Sequence, residues 1–220
     1  MSTTATWVAV ALTVAVLALY ESMLAALQRR HPGRMAPSAH ASLREDWFDA
    51  LSVHKGSEIL AVQTLRNSLM SATMLASTAA IGLMGTVSLA APSLHAMVGE
   101  ASLRSALVTP RLVLEVVLLA LLFTSLVSTV MAVRFYNHAS FISSIPVDSP
   151  ARRRWDTAGR IYVRKAGLLY SMGIRHLILV VPVVAAILSP FIGPFAAAIV
   201  VAVLLSFDRF SAGRGDETAG

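Results

Sequence analysis

Apolar residues in this chain run in long blocks rather than in alternating or narrow amphipathic stripes. A helix needs about 20 apolar residues to cross a hydrocarbon core of about 30 Å. Residues 6–27, 59–90 and 112–133 each meet that length. The last block, from Gly167 to Phe207, would reach about 60 Å as one helix, twice that core. Ser189-Pro190-Phe191-Ile192-Gly193-Pro194 divides it. The pattern predicts an all-α integral membrane protein with about five transmembrane helices: 6–27, 59–90, 112–133, 167–188 and 191–207. The last two form a hairpin broken at Pro190–Pro194, and Pro182 kinks the fourth span. A four-span arrangement with a re-entrant last block is the alternative. Residues 1–210 read as a single helical transmembrane domain and 211–220 as a disordered cytoplasmic tail. The first block lacks a basic leader and exceeds the apolar core of a signal peptide, so it reads as a retained span.

Between the spans the pattern changes. Residues 28–58 open with Arg29 and Arg30 and turn at His31-Pro32-Gly33. Ser42 with Glu45 has the spacing of a capping box. The helix it would start carries Leu43, Trp47, Ala50 and Leu51 on one face and is expected to lie along the membrane surface. Pro92 is expected to stop the second span, with a short interfacial helix around Leu94, Met97, Val98 and Leu103. Residues 143–166 read as a loop broken at Pro146 and Pro150. Within the second span, Ser68, Ala72, Ala76 and Ala80 form a small-residue row suited to close helix contact between copies of the chain. Gln63, Asn67, Ser71 and Thr78 form a polar row beside it.

Composition agrees with the blocks. The chain is 56% hydrophobic and 14% charged, with a mean hydropathy of +0.69, whereas soluble domains have about 25% charged residues. The net charge of +6 reflects where basic residues are placed rather than nucleic-acid binding, which is not expected. Fourteen of the 18 basic residues fall in the 28–58 loop, the 134–166 segment and the tail. Only Arg104 and Arg111 lie on the opposite side. By the positive-inside rule this puts the N-terminus outside and the C-terminus in the cytoplasm of a bacterial-type inner (plasma) membrane. Anionic lipid headgroups are the expected partners of the basic 143–166 segment. The chain has no cysteine, so disulfides and thiolate metal sites are excluded.

That topology sets the unusual polar residues of the spans at one depth. Glu21 ends the first span on the inner side, and Gln63, Arg66 and Asn67 open the second. Asn137 and His138 follow the third, Arg175 and His176 sit in the inner half of the fourth, and Asp208 ends the fifth. An arginine inside a span is costly unless held. Two readings follow. In one, Arg66 and Arg175 receive a small anion in a homo-oligomeric channel or carrier, with His138 and His176 titrating near neutral pH as a gate. In the other, Arg66 and Arg175 bond Glu21, Asp208, Glu58 and exposed carbonyls and pin the helices together in a non-transporting scaffold or accessory subunit. Two histidines alone do not make a haem site. No catalytic residues, metal site or cofactor are expected, because no hydrolase, P-loop, zinc-peptidase or dinucleotide motif occurs.

Three stretches also resemble the DUF599 family of small membrane proteins of bacteria and plants. They are Val62-Gln63-Thr64-Leu65-Arg66-Asn67-Ser68, then Tyr136-Asn137-His138-Ala139-Ser140-Phe141, then Gly173-Ile174-Arg175 with Pro182 and Gly193-Pro194. The resemblance covers roughly residues 8–208 and implies a membrane fold, with no chemistry attached to the family. Where the family often carries an aromatic after the span-four arginine and a Trp before the Gly-Pro turn, this chain has His176 and Ala186-Ile187-Leu188.

Overall fold

The computed structural model describes residues 3–30, 36–99 and 108–208, and the regular structure among them is all helical. The described helices are α1 (Thr3–Arg30), α2 (Ala36–Ser52), α3 (Glu58–Gly99), α4 (Pro110–Ser143), α5 (Pro150–Leu188) and α6 (Ile192–Asp208). Four of them, α1, α3, α4 and α5, are long and apolar enough to cross a membrane, and α6 is a shorter apolar helix. The expected turn at His31-Pro32-Gly33, Leu103 and the expected disordered tail at 211–220 lie outside the described residues.

Two apolar cores sit at opposite ends of the α4–α5 pair. One gathers α1, α4, α5 and α6 around Val10, Leu17, Leu118, Leu122, Leu179, Val183 and Leu204. The other gathers α2, α3, α4 and α5 around Phe48, Leu65, Ala72, Ala132, Tyr136 and Val163. Between them α4 and α5 cross closely at Gly173. The Ser125 hydroxyl donates to the Gly173 carbonyl at 2.8 Å, and the Thr129 methyl fills the space a Cβ on Gly173 would need. Gly193 plays the same part at the start of α6, where a Cβ would come within 2.6 Å of both Ala186 Cβ and Thr13 Oγ1.

Helix boundaries depart from the hydropathy pattern for local reasons. Thr109 and Ser149 accept hydrogen bonds from the amides of Leu112 and Arg152, and Pro110 and Pro150 follow as first-turn residues. Pro110 and Pro150 are thus helix starts, because a proline at that position forfeits no intrahelical bond, whereas Pro146 does lie in the turn between α4 and α5. The 143–166 segment is consequently helical from Pro150, and only a short turn separates α4 from α5. Pro92 does not stop the second apolar helix but lies inside α3. α2 begins at Ala36, ahead of the expected Ser42 cap.

α2 is also partnered by protein. It packs against the Arg-rich first half of α5, where Asp49 pairs with Arg160 at 2.8 Å and Glu45 with Arg164 at 3.0 Å. Ser52 accepts from Arg152 at 2.9 Å and donates to Asp156 at 2.8 Å. These contacts step backwards along α5 as they step forwards along α2, so the helices are antiparallel. Exposed pairs of this kind contribute little stability each; their periodicity sets register. The burial comes from Phe48, which is 1% exposed and lies over Gly159 with the Arg152 guanidinium 4.9 Å from its ring centroid. The two adjoining turns meet as well. Lys55 pairs with Asp148 at 2.5 Å, which raises its pKa. Glu58 Oε1 accepts from the Val147 amide at 3.2 Å, and backbone donors, its own amide first, hold its carboxyl below the usual range.

A methyl group on Gly159 would collide with the Phe48 ring. Gly159→Ala should therefore loosen α2 and cost about 1–3 kcal/mol, seen as a lower melting temperature and faster proteolysis at the ends of α2. Arg160→Gln, which removes only an exposed pair, should cost under about 1 kcal/mol in the same assays.

Candidate functional site

The strongest polar cluster within the bundle forms where α1, α5 and α6 meet. Arg175 precedes the α5–α6 turn by about 20 Å of helix, and Asp208 follows it by about 24 Å, at 1.5 Å per residue. With the two helices packed side by side, both reach the same level. Arg175 Nη2 donates to Asp208 Oδ1 at 2.7 Å, and the Tyr20 hydroxyl donates to Asp208 Oδ2 at 2.6 Å. Both Arg175 and Asp208 are 7% exposed, and Tyr20 is 2% exposed. The carboxylate thus receives a donor on each oxygen, the geometry that makes a desolvated ion pair tolerable.

Glu21 and His176 lie alongside. His176 Nδ1 is 2.8 Å from the Met172 carbonyl, so Nδ1 carries the proton and Nε2 is bare in the neutral ring. Nε2 lies 3.9 Å from Glu21 Oε1, an ion pair only when the imidazole is protonated. Glu21 Oε1 and Arg175 Nε are buried without a hydrogen-bond partner, a spare acceptor and a spare donor beside the closed pair. Chemically the cluster is a clamp with one protonatable edge. The side of Arg175 that an anion would occupy is already taken by Asp208.

Of the eight polar residues singled out in the sequence, Glu21, Arg175 and His176 come together here. The other five do not. Gln63, Arg66 and Asn67 lie on the exposed face of α3, and Asn137 and His138 are exposed on α4, His138 with its ring centroid 5.8 Å from that of Tyr162. Arg66 and Arg175 therefore do not share a site within one chain. Tyr20, which reads in sequence as an interfacial aromatic, is the residue the pattern missed; nothing in its spacing marks it as the partner of Asp208.

α3 is the least enclosed of the four long helices. Only 17% of its apolar window is buried, against 33% in each of the others. The small-residue row expected to join copies is used inside the chain: Ala72 is fully buried against the α4 core. The opposite face is exposed among the described residues. Gln63, Asn67, Met70, Met74, Ser77, Ile81, Met84 and Ser88 are all exposed, and they alternate steps of four and three, the spacing of a coiled-coil seam. Ser71, Thr73, Ser77, Thr78 and Ser88 return their hydroxyls to carbonyls one turn back, at 2.9–3.1 Å. Among the described residues no hydrogen bond or ion pair involves the side chains of Gln63, Arg66 or Asn67.

Breaking the buried pair should be costly in a diagnostic way. Asp208→Asn leaves Arg175 uncompensated and should destabilise the chain by about 3–5 kcal/mol. Removing both charges in Arg175→Met/Asp208→Leu should recover most of that loss. Thermal unfolding of the two single variants and the double variant in detergent reads this directly.

Neither a curated protein nor a solved structure is significantly similar to the chain. The family model that does match is described as a protein of unknown function, DUF599, and it spans residues 8–212, nearly the whole sequence. The motifs at Gln63, Tyr136 and Arg175 all fall within that match, and the chain is a member of the DUF599 family.

Proposed function

We propose that this is an integral protein of the plasma (inner) membrane that assembles through α3 into a homo-oligomer and conducts or carries a small anion along that helix. In this reading the chain crosses the membrane five times, with α5 and α6 as a terminal hairpin, the N-terminus outside and the Arg-rich end in the cytoplasm. The observation that carries the proposal is the exposed 4-3 seam of α3, with Gln63, Arg66 and Asn67, unpartnered among the described residues, at its inner end. Lipid cannot satisfy these side chains, and a guanidinium facing hydrocarbon costs several kcal/mol. A second copy of the same face can satisfy them, and so can the water-filled path that several copies would enclose.

Around a rotation axis the seam becomes a stack of rings. Gln63, Asn67 and the flanking Arg66 form a basic, hydrogen-bonding mouth suited to an anion. Met70, Met74, Ile81 and Met84 form an apolar constriction, and Ser77 and Ser88 interrupt it. Arg175 belongs to the frame of each copy and not to the path, since Asp208 already neutralises it. That paired state favours the scaffold reading for the α1–α5–α6 cluster alone.

The chain has no native cysteine, so single-cysteine variants report the assembly. Met74→Cys should give a disulfide-linked dimer on oxidation, and Ala72→Cys, which faces α4, should not. Proteoliposomes should release chloride, phosphate or a small carboxylate. Arg66→Gln should lower that efflux at least about tenfold, in line with the loss of a ring of positive charge at the mouth, without changing the oligomer on size exclusion. A well-folded monomer that passes none of these anions would leave the scaffold as the function.

A further inference from the structure

A second, separate site lies where α2, α3, α4 and α5 converge. A pocket of about 300 Å³ opens there, lined by Leu43, Arg44 and Trp47 from α2, Thr64, Leu65 and Ser68 from α3, Tyr136 from α4 and Val163 from α5. The side chains that line it carry one guanidinium, three hydroxyls and the Trp47 indole N–H, and among the described residues no carboxylate lines it. Tyr136, Ser68 and Arg44 line it together. The acidic residues of α2 are engaged elsewhere: Glu45 with Arg164 and Asp49 with Arg160. Arg44 itself forms no ion pair among the described residues, and the acceptor recorded for its guanidinium is the His40 carbonyl at 3.2 Å. It reaches the pocket across Gly167, where a Cβ would come within 2.5 Å of Nη1.

A half-buried cation with unused donors, three hydroxyls around it and apolar walls fits an anionic group attached to something greasy. We propose that this pocket binds a phosphate group, with Arg44 as its counter-charge and Tyr136 as hydroxyl donor; the Ser68 hydroxyl beside them already donates to the Thr64 carbonyl at 3.2 Å. The apolar walls from Leu43, Trp47, Leu65 and Val163 make the headgroup of an anionic phospholipid the favoured source, and free phosphate the other. Binding would tie α2 to the other three helices at the membrane edge. The inference rests on the pocket lining and is independent of the α3 assembly.

The test is the melting temperature of delipidated protein in neutral detergent, titrated with phosphatidylglycerol, phosphatidylcholine or inorganic phosphate. Phosphatidylglycerol should raise the melting temperature of wild type and phosphatidylcholine should not. Arg44→Gln should lose the response, and Arg153→Gln, an exposed arginine outside the pocket, should keep it. Tyr136→Phe, which preserves the ring, should weaken the apparent affinity about tenfold, the effect of one hydrogen bond to a charged group. It also serves as the reporter if Arg44→Gln fails to fold. Gly167→Ala keeps the charge but displaces the guanidinium, and should weaken binding as well. An Arg44-dependent rise with inorganic phosphate alone assigns the site to free phosphate, and one with phosphatidylglycerol only assigns it to the lipid. Equal responses in wild type, Arg44→Gln and Tyr136→Phe, or an equal loss in Arg153→Gln, would overturn the site.

Discussion

The pairing of Arg175 with Asp208 is the constraint on which the α1–α5–α6 half of the molecule depends. Two opposite charges lie 33 residues apart in sequence and are removed from water together. Neither is tolerable alone in an apolar bundle, and the pair is tolerable only with its remaining lone pairs occupied. That requirement brings α6 back alongside α5 to the level of Arg175. It also draws α1 in through the Tyr20 hydroxyl. The close contact at Gly193, against Ala186 of α5 and Thr13 of α1, then becomes necessary, because three helices held by short polar bonds leave no room for an extra side chain.

The charge of Arg175 is neutralised on its own chain by Asp208, and only Nε is left without a partner. Two places outside the α1–α5–α6 bundle carry a guanidinium with no ion pair among the described residues. On α3, Arg66 faces outward beside two amides, on a helix otherwise fit for hydrocarbon. In the four-helix pocket, Arg44 faces hydroxyls with no carboxylate beside it. The rest of the basic excess is partly internal: Arg160 and Arg164 meet Asp49 and Glu45 of α2, so the most basic stretch is less free for headgroups than its composition implies.

How much of this was legible depended on the range of the interaction. Hydropathy blocks mark α1, α3, α4 and α5 because a helix satisfies its own backbone and needs only apolar side chains to enter lipid. The motifs around Arg66, Tyr136 and Arg175 are likewise visible as residues. Helix ends were less visible. Pro110 and Pro150 look the same in sequence whether they break a helix or begin one, and only the capping bonds of Thr109 and Ser149 decide. The 4-3 spacing on α3 is present in the sequence, but so is the row through Ala72, and burial alone tells which of the two packs inside the chain.

The sequence by itself determined the class of the protein, its apolar helices, the asymmetry of its basic residues and its family. Each of these follows from local composition or from motif residues close together in the chain. The tertiary structure decided which polar residues meet. Of the carboxylates in reach, Arg175 took Asp208, with Tyr20 on its other oxygen, α2 packed on α5, and Arg44 and Tyr136 came to line one pocket, because those choices depend on which helix faces pack. Helix faces are selected by close contacts such as Phe48 on Gly159 and Thr129 on Gly173, between residues distant in the chain whose fit no local pattern encodes.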